Sequence, residues 1–199
     1  MQALVEGGTG LAFKAVISNR PEAPGLAWAA TRGIPTRVVD HKASPDREAF
    51  DAALGDAIAD HKPDWILYAG FMRIVGEKFV QRFQGKLVNI HPSLLPSFPG
   101  LHTHRRALEA GVKIHGATVH FVTATLDNGP ILIQAAVPVL GGDTEASLAA
   151  RVLAQEHRIY PQAARWLAEG KMEFPANGVV QSGVSGVPTD FLLSPRTAP

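Results

Sequence analysis

The sequence predicts an α/β fold, an open, mostly parallel sheet with helices on both faces. Three observations predict it. Short apolar runs alternate with helical patterns over residues 11–90, the strand–helix order that builds parallel sheets. The run at 64–69, DWILYA, is short and apolar, like a strand buried on both faces of such a sheet. The chain has 199 residues, 46% of them hydrophobic, which suits one domain with a real core.

Residues 1–6 read as a short helix ended by Gly7 and Gly8. A fold of this class normally supplies a strand first, so the chain begins in mid-helix. Residues 11–18 (LAFKAVIS) read as a strand, 24–31 as a helix stopped by Gly33, and 35–39 as a second strand. Ser44, Pro45, Asp46 and Glu48 form a helix start: serine can cap, proline is tolerated in the first turn, and acids favour the positive end. That helix runs to about His61. After the 64–69 strand, 76–83 is a short helix and 86–90 a further buried strand. Residues 114–123 and 131–139 resemble two strands joined by a turn at 126–130, where Asp127-Asn128-Gly129 is strong turn chemistry. A long helix spans 144–169, capped by Asp143 or Thr144 and stopped by Gly170. Residues 175–199 read as an irregular tail.

Composition excludes several function classes. Basic and acidic residues number 19 and 18, a net charge of +1 that gives no reason to expect nucleic-acid or membrane binding. The chain has no cysteine, which rules out disulfides, thiolate nucleophiles and cysteine-based zinc sites. That suits a reducing, cytoplasmic setting. No apolar run approaches bilayer length, and the N-terminus lacks the pattern of a signal peptide.

Ligands of open α/β sheets sit outside the carboxyl ends of the strands, here residues 70–75, 89–100 and those after 122. Five of the eight histidines lie between His91 and His120. They line a polar cleft or sit on the surface. His102-x-His104 could supply two metal ligands, but no carboxylate stands at a familiar ligand spacing. Asn89 and His91 are two apart at a strand end and so share a face. An amide beside an imidazole suits a reaction that develops an oxyanion, or the pair simply caps the backbone. Asp127 is a turn aspartate whose carboxylate, near an imidazole, favours the charged ring. Gly70 opens a segment, Phe71 to Val75, that offers an apolar wall and close backbone approach to a ligand. Glu156, mid-helix, is placed to bind a sugar hydroxyl or stands as a solvated acid.

The stretch NIHPSLLPSFPGLHTHRRALEAG at 89–111, with AGFMRIV upstream and HGATVHFV and LDNGPIL downstream, closely resembles the glycinamide ribonucleotide formyltransferases over about residues 1–170. The resemblance implies a Rossmann-like formyltransferase fold. It implies transfer of the formyl group of 10-formyltetrahydrofolate to the amine of glycinamide ribonucleotide, without a metal, in a monomer or weak dimer. It puts the catalytic trio at Asn89, His91 and Asp127: protonated His91 and the Asn89 amide stabilise the oxyanion, and Asp127 tunes His91 and relays a proton. It assigns folate binding to Arg47, Met72, Arg73, Ile74, Val75 and Asn89, and substrate binding to Glu156, Thr118 and His120.

Relatives begin with a strand and a Gly-x-Gly-Ser-Asn type loop that holds a phosphate on backbone N–H groups. Residues 1–4 match the helix just after that loop. The resemblance thus implies that a strand from the middle of the sheet is missing from these residues, through a start placed at an internal methionine or in a truncated paralogue, with a weaker grip on the ribonucleotide. Leu153 stands where relatives are often polar. Rival functions are a formyltetrahydrofolate hydrolase, a methionyl-tRNA formyltransferase, for which the chain is too short and too neutral, and a non-catalytic folate- or nucleotide-binding paralogue.

Overall fold

In a computed structural model that describes residues 1–175, the expected alternation is present and divided between two sheets. The elements run α1 (Gln2–Glu6), β1 (Val16–Ser18), α2 (Pro24–Thr31), β2 (Thr36–Val38), α3 (Arg47–Ala59), β3 (Ile66–Tyr68), α4 (Glu77–Arg82), β4 (Leu87–His91), α5 (Thr103–Glu109), β5 (Ile114–Phe121), β6 (Ile131–Pro138) and α6 (Glu145–Ala168). The first strand is shorter than the apolar run 11–18 suggests, because only Val16–Ser18 finds a paired neighbour. Helix α5 is an addition: THRRALE has no clear apolar stripe, and the helix forms by packing Ala107 and Thr103 inward. The expected tail falls largely on residues 176–199, outside the described residues.

Strands β1 and β2 pair in parallel, as do β3 and β4. Strands β4–β5 and β5–β6 are antiparallel, so the larger sheet has the order β3-β4-β5-β6. Between β1 and β3 lies a slot of about 590 Å³, walled by Val16, Ile17, Ile66 and Leu67 and closed below by Leu4 and Leu167.

Successive residues of β4 face opposite sides, which divides the interior in two. Leu87 joins Phe50, Leu54 and Ile58 of α3 and Phe79, Val80 and Phe83 around α4. Val88 joins Ala117, Val119 and Phe121 of β5 and Leu148, Val152, Tyr160 and Ala164 of α6. The helices are held in place by their ends. Asp46, rather than Ser44, caps α3, with its carboxylate accepting from the Ala49 N–H at 2.8 Å. Thr144 caps α6 in a reciprocal pair with Ser147. Arg151 reaches back from α6 to make a two-pronged ion pair with Asp143 at 2.7 and 2.9 Å. No described helix is long and apolar enough to cross a membrane.

The α6 helix is tied to the sheet by one buried hydroxyl. Tyr160 Oη shares its proton between the carbonyls of Tyr68 at 2.8 Å and Val88 at 3.1 Å, on the neighbouring strands β3 and β4. Tyr160→Phe removes that donor while keeping the ring. The expected loss is about 1–2 kcal/mol of unfolding free energy in a urea titration, and an unchanged midpoint would mean that the tie contributes nothing.

Candidate active site

The register of β4 against β5 sets Asn89 opposite His120 and His91 opposite Thr118, all four side chains on one face near the end of β4. His120 is buried, and its Nδ1–H donates to the Phe121 carbonyl at 2.9 Å. Burial pushes its pKa down, only partly offset by the Phe121 bond and Asp127. A neutral ring with its proton on Nδ1 leaves Nε2 as an acceptor, and Asn89 Nδ2 stands 3.4 Å from it. One N–H of the Asn89 amide is therefore spent on orientation, and the other remains for a ligand. His120, expected to bind substrate, turns its Nε2 toward Asn89 and Asp127.

His91 is buried, with Nε2 at 3.1 Å from the Phe98 carbonyl and Nδ1 at 3.5 Å from Asp127 Oδ2. Each ring nitrogen thus faces an oxygen acceptor. Asp127 itself is nearly closed off from solvent, with its side chain 8% exposed. Its Oδ2 also accepts the Gly100 N–H at 2.8 Å, and its Oδ1 stands 3.9 Å from His120 Nε2. The carboxylate reaches this position from a turn in which Asp127 has φ of 48°, left-handed backbone that aspartate tolerates better than most residues.

Thr118, expected on the substrate wall, has no group left for a substrate. It is fully buried; its hydroxyl donates to the Ser93 carbonyl at 2.7 Å and accepts from the Leu95 N–H at 3.0 Å and Gln134 Nε2 at 2.9 Å. It fixes the 92–100 loop, with help from Gln134, which also donates to the Leu95 carbonyl. Gln134 has no signal in the sequence; only its place opposite Thr118 across β5–β6 reveals its part. Behind the same loop, His115 is buried and its two ring nitrogens lack partners. It packs edge-on between Phe98 and His104, with ring centroids at 5.8 and 5.3 Å. His102 caps α5 on its exposed side and His104 turns inward, so the two do not converge as a ligand pair. Among the described residues no three His, Cys, Asp or Glu side chains form a metal-binding group.

Beside this cluster, Gly70 turns the chain off β3 with φ of 72°. Residues 71–75 make no backbone hydrogen bond to any described residue. Met72 and Ile74 lie largely open, at 74% and 60% exposure. The Arg73 guanidinium lies 5.0 Å over the Phe50 ring, one turn along α3 from the exposed Arg47. On the other side of β4, a cavity of about 300 Å³ joins Gly70, Ile90, Leu153 and Glu156. Burial raises the Glu156 carboxyl pKa.

Comparisons with known proteins agree on one kind of relative. The family described as formyl transferase matches residues 1–164. The chain is similar to the phosphoribosylglycinamide formyltransferase of Escherichia coli, 48% identical over 170 residues, which cover 85% of this chain and 80% of that one. It is 47% identical to the human trifunctional purine biosynthetic protein adenosine-3 over 83% of its own length, while spanning 16% of that longer protein. Among solved structures, glycinamide ribonucleotide transformylase 1 from Symbiobacterium toebii matches with a TM-score of 0.81 at 49% identity, over 84% of this chain and 79% of that one.

Burial, with His104 beside it, holds the His115 pKa down to about 4 from the ordinary 6.5. Above 6.5 the ring is neutral in both folded and unfolded chains. As pH falls from there, the unfolded chain takes up a proton that the folded one refuses, so stability falls and the loss is complete below about 4. His115→Phe should flatten the decline in melting temperature between pH 7 and pH 4. A variant with the wild-type slope would place the acid sensitivity elsewhere.

Proposed function

Because the chain belongs to the formyl transferase family, in its phosphoribosylglycinamide formyltransferase branch of purine biosynthesis, we propose that the Asn89, His91 and Asp127 cluster moves the formyl group of 10-formyltetrahydrofolate onto the amine of glycinamide ribonucleotide. The observation that carries this reading is the meeting of two features at the ends of β3 and β4. One is a run of backbone at 71–75 that bonds to no described residue, the other the Asn89–His91–Asp127 cluster, with His91 buried and the Asp127 side chain 8% exposed. A pterin is a flat ring with donors and acceptors along its edge, which free backbone N–H and C=O groups complement. Met72, Ile74 and Val75 supply its apolar wall, and Arg73 and Arg47 face the acidic tail of the folate.

In this reading the amine nitrogen attacks the formyl carbon, and the carbonyl pair moves onto oxygen. The Asn89 N–H that His120 leaves free, with the positive charge on His91, stabilises that oxyanion. Asp127 balances the His91 charge. It also passes the amine proton, through water, to the folate nitrogen as the carbon–nitrogen bond to folate breaks. The products are the formamide of the ribonucleotide and tetrahydrofolate. Glu156, whose burial favours partnering a hydroxyl, binds the ribose. Leu153 gives the nucleotide no polar contact. The reaction belongs in the cytoplasm, between two small molecules, in a monomer or weak dimer.

The test is the absorbance change on deformylation of a 10-formyl folate, with and without glycinamide ribonucleotide. A saturable dependence on the ribonucleotide is expected. Asn89→Ala should lower kcat by about 10²–10³-fold, and His91→Ala by about 10²–10⁴-fold. Deformylation at the same rate without the ribonucleotide would make water the acceptor and turn the reading to a hydrolase. A folded chain with no turnover in either case, both as it stands and with an upstream strand and loop restored, would reject both and favour a non-catalytic folate- or nucleotide-binding paralogue.

A further inference from the structure

The 70–76 segment is held from below by a carboxylate that neither the trio nor the folate contacts account for. Asp51 sits in the middle of α3 and is 8% exposed. A carboxylate in such a place costs free energy unless it is used. Its Oδ2 accepts the Gly76 N–H at 2.7 Å, at the point where the segment enters α4. Among the described residues, this is the side chain that bonds the backbone of residues 70–76. The segment's other tethers are side-chain contacts: Phe71 against Tyr68 at 5.1 Å, Arg73 over Phe50 at 5.0 Å, and Phe71 and Val75 packed against the α3–α4 core. Residue 76 also has little room for a side chain, since a Cβ there would lie 3.2 Å from Asp51 Oδ2. Asp51 Oδ1 and the Tyr68 hydroxyl are both buried without a partner, so the carboxylate is not spent on a wider internal network.

We infer that Asp51 is a positioning residue for folate: by holding the Gly76 N–H it fixes the far end of a segment whose own backbone is unpaired, and so presents residues 72–75 in one conformation. This rests on the proposed folate role of 72–75. The physical reason is entropic. Five residues without backbone bonds sample many conformations, and a ligand that needs one of them bears the cost of selecting it. A bond at Gly76, with Gly70 fixing the turn off β3, lowers that cost in advance.

The experiment measures steady-state kinetics and Gly76 amide exchange in the wild-type full chain, Asp51→Ala, Asp51→Asn and Gly76→Ala. Asp51→Ala should raise the KM for 10-formyltetrahydrofolate about tenfold, with kcat and the KM for the ribonucleotide little changed. Asp51→Asn keeps an acceptor oxygen and should restore the folate KM to near wild type. Gly76→Ala adopts the same backbone, pushes its methyl group onto Asp51, and should raise the folate KM without removing the carboxylate. It covers the case in which Asp51→Ala does not fold. The Gly76 amide should exchange faster in Asp51→Ala, whatever the substrate. A folded Asp51→Ala with an unchanged folate KM, or one that loses kcat and melting temperature alone, overturns the inference. An exchange effect in a chain that turns over no folate overturns the functional reading and leaves Asp51 as the anchor of the segment.

Discussion

The Asp127 carboxylate accepts the Gly100 N–H, faces the His91 ring and lies within 3.9 Å of His120, all in a pocket nearly closed to water. Three pieces of chain far apart in sequence are joined at that one group: the 126–130 turn, the loop after β4, and the paired strands β4 and β5. Little solvent screens it, so its charge acts on the imidazoles more strongly than it would at the surface. The turn has to fit tightly for this to happen. A side chain at Gly129 would collide with the Phe121 carbonyl, so that position accepts glycine and the turn closes directly onto the end of β5.

Strand β4 supplies the other half of the arrangement. Its alternation sends Leu87 into the α3–α4 core and Val88 into the α6 core, and brings Asn89 and His91 to one face at the strand's end. The register with β5 then supplies a partner for each. His120 turns the Asn89 amide, and Thr118 ties the 92–100 loop that carries the Phe98 carbonyl to His91. Rigid packing below and bonded loops above leave Asn89, His91 and Asp127 few alternatives, the condition that the proposed electrostatic stabilisation needs.

The 70–76 segment follows the opposite design. Its backbone at 71–75 bonds to no described residue, Met72 and Ile74 lie open, and it is held by side chains: Phe71 and Val75 packed against the α3–α4 core, Arg73 over Phe50, and Asp51 at Gly76. Helix α3 thus serves two purposes. Its apolar side packs Phe50, Leu54 and Ile58 against α4, while Asp51 on the same helix carries the anchor. A surface left unpaired in this way is ready for a ligand that brings its own donors and acceptors.

Much of this was legible in the residues. Apolar runs and turn chemistry located the strands, the 126–130 turn and α6, because burial and backbone preference act over a few neighbouring positions. The spacing of Asn89 and His91 placed them on one face for the same reason. The family motifs named Asp127, though nothing local distinguishes it from an ordinary turn aspartate. What the tertiary structure alone decided is which groups remain free. Thr118 and His120 look equivalent to ligand residues in the sequence, yet one hydroxyl is saturated by the loop and one imidazole is committed to Asn89. Gln134 and Asp51 have no local signature at all. Hydrogen-bond capacity is consumed by partners 16 to 39 residues away, and that accounting exists only once the chain has folded.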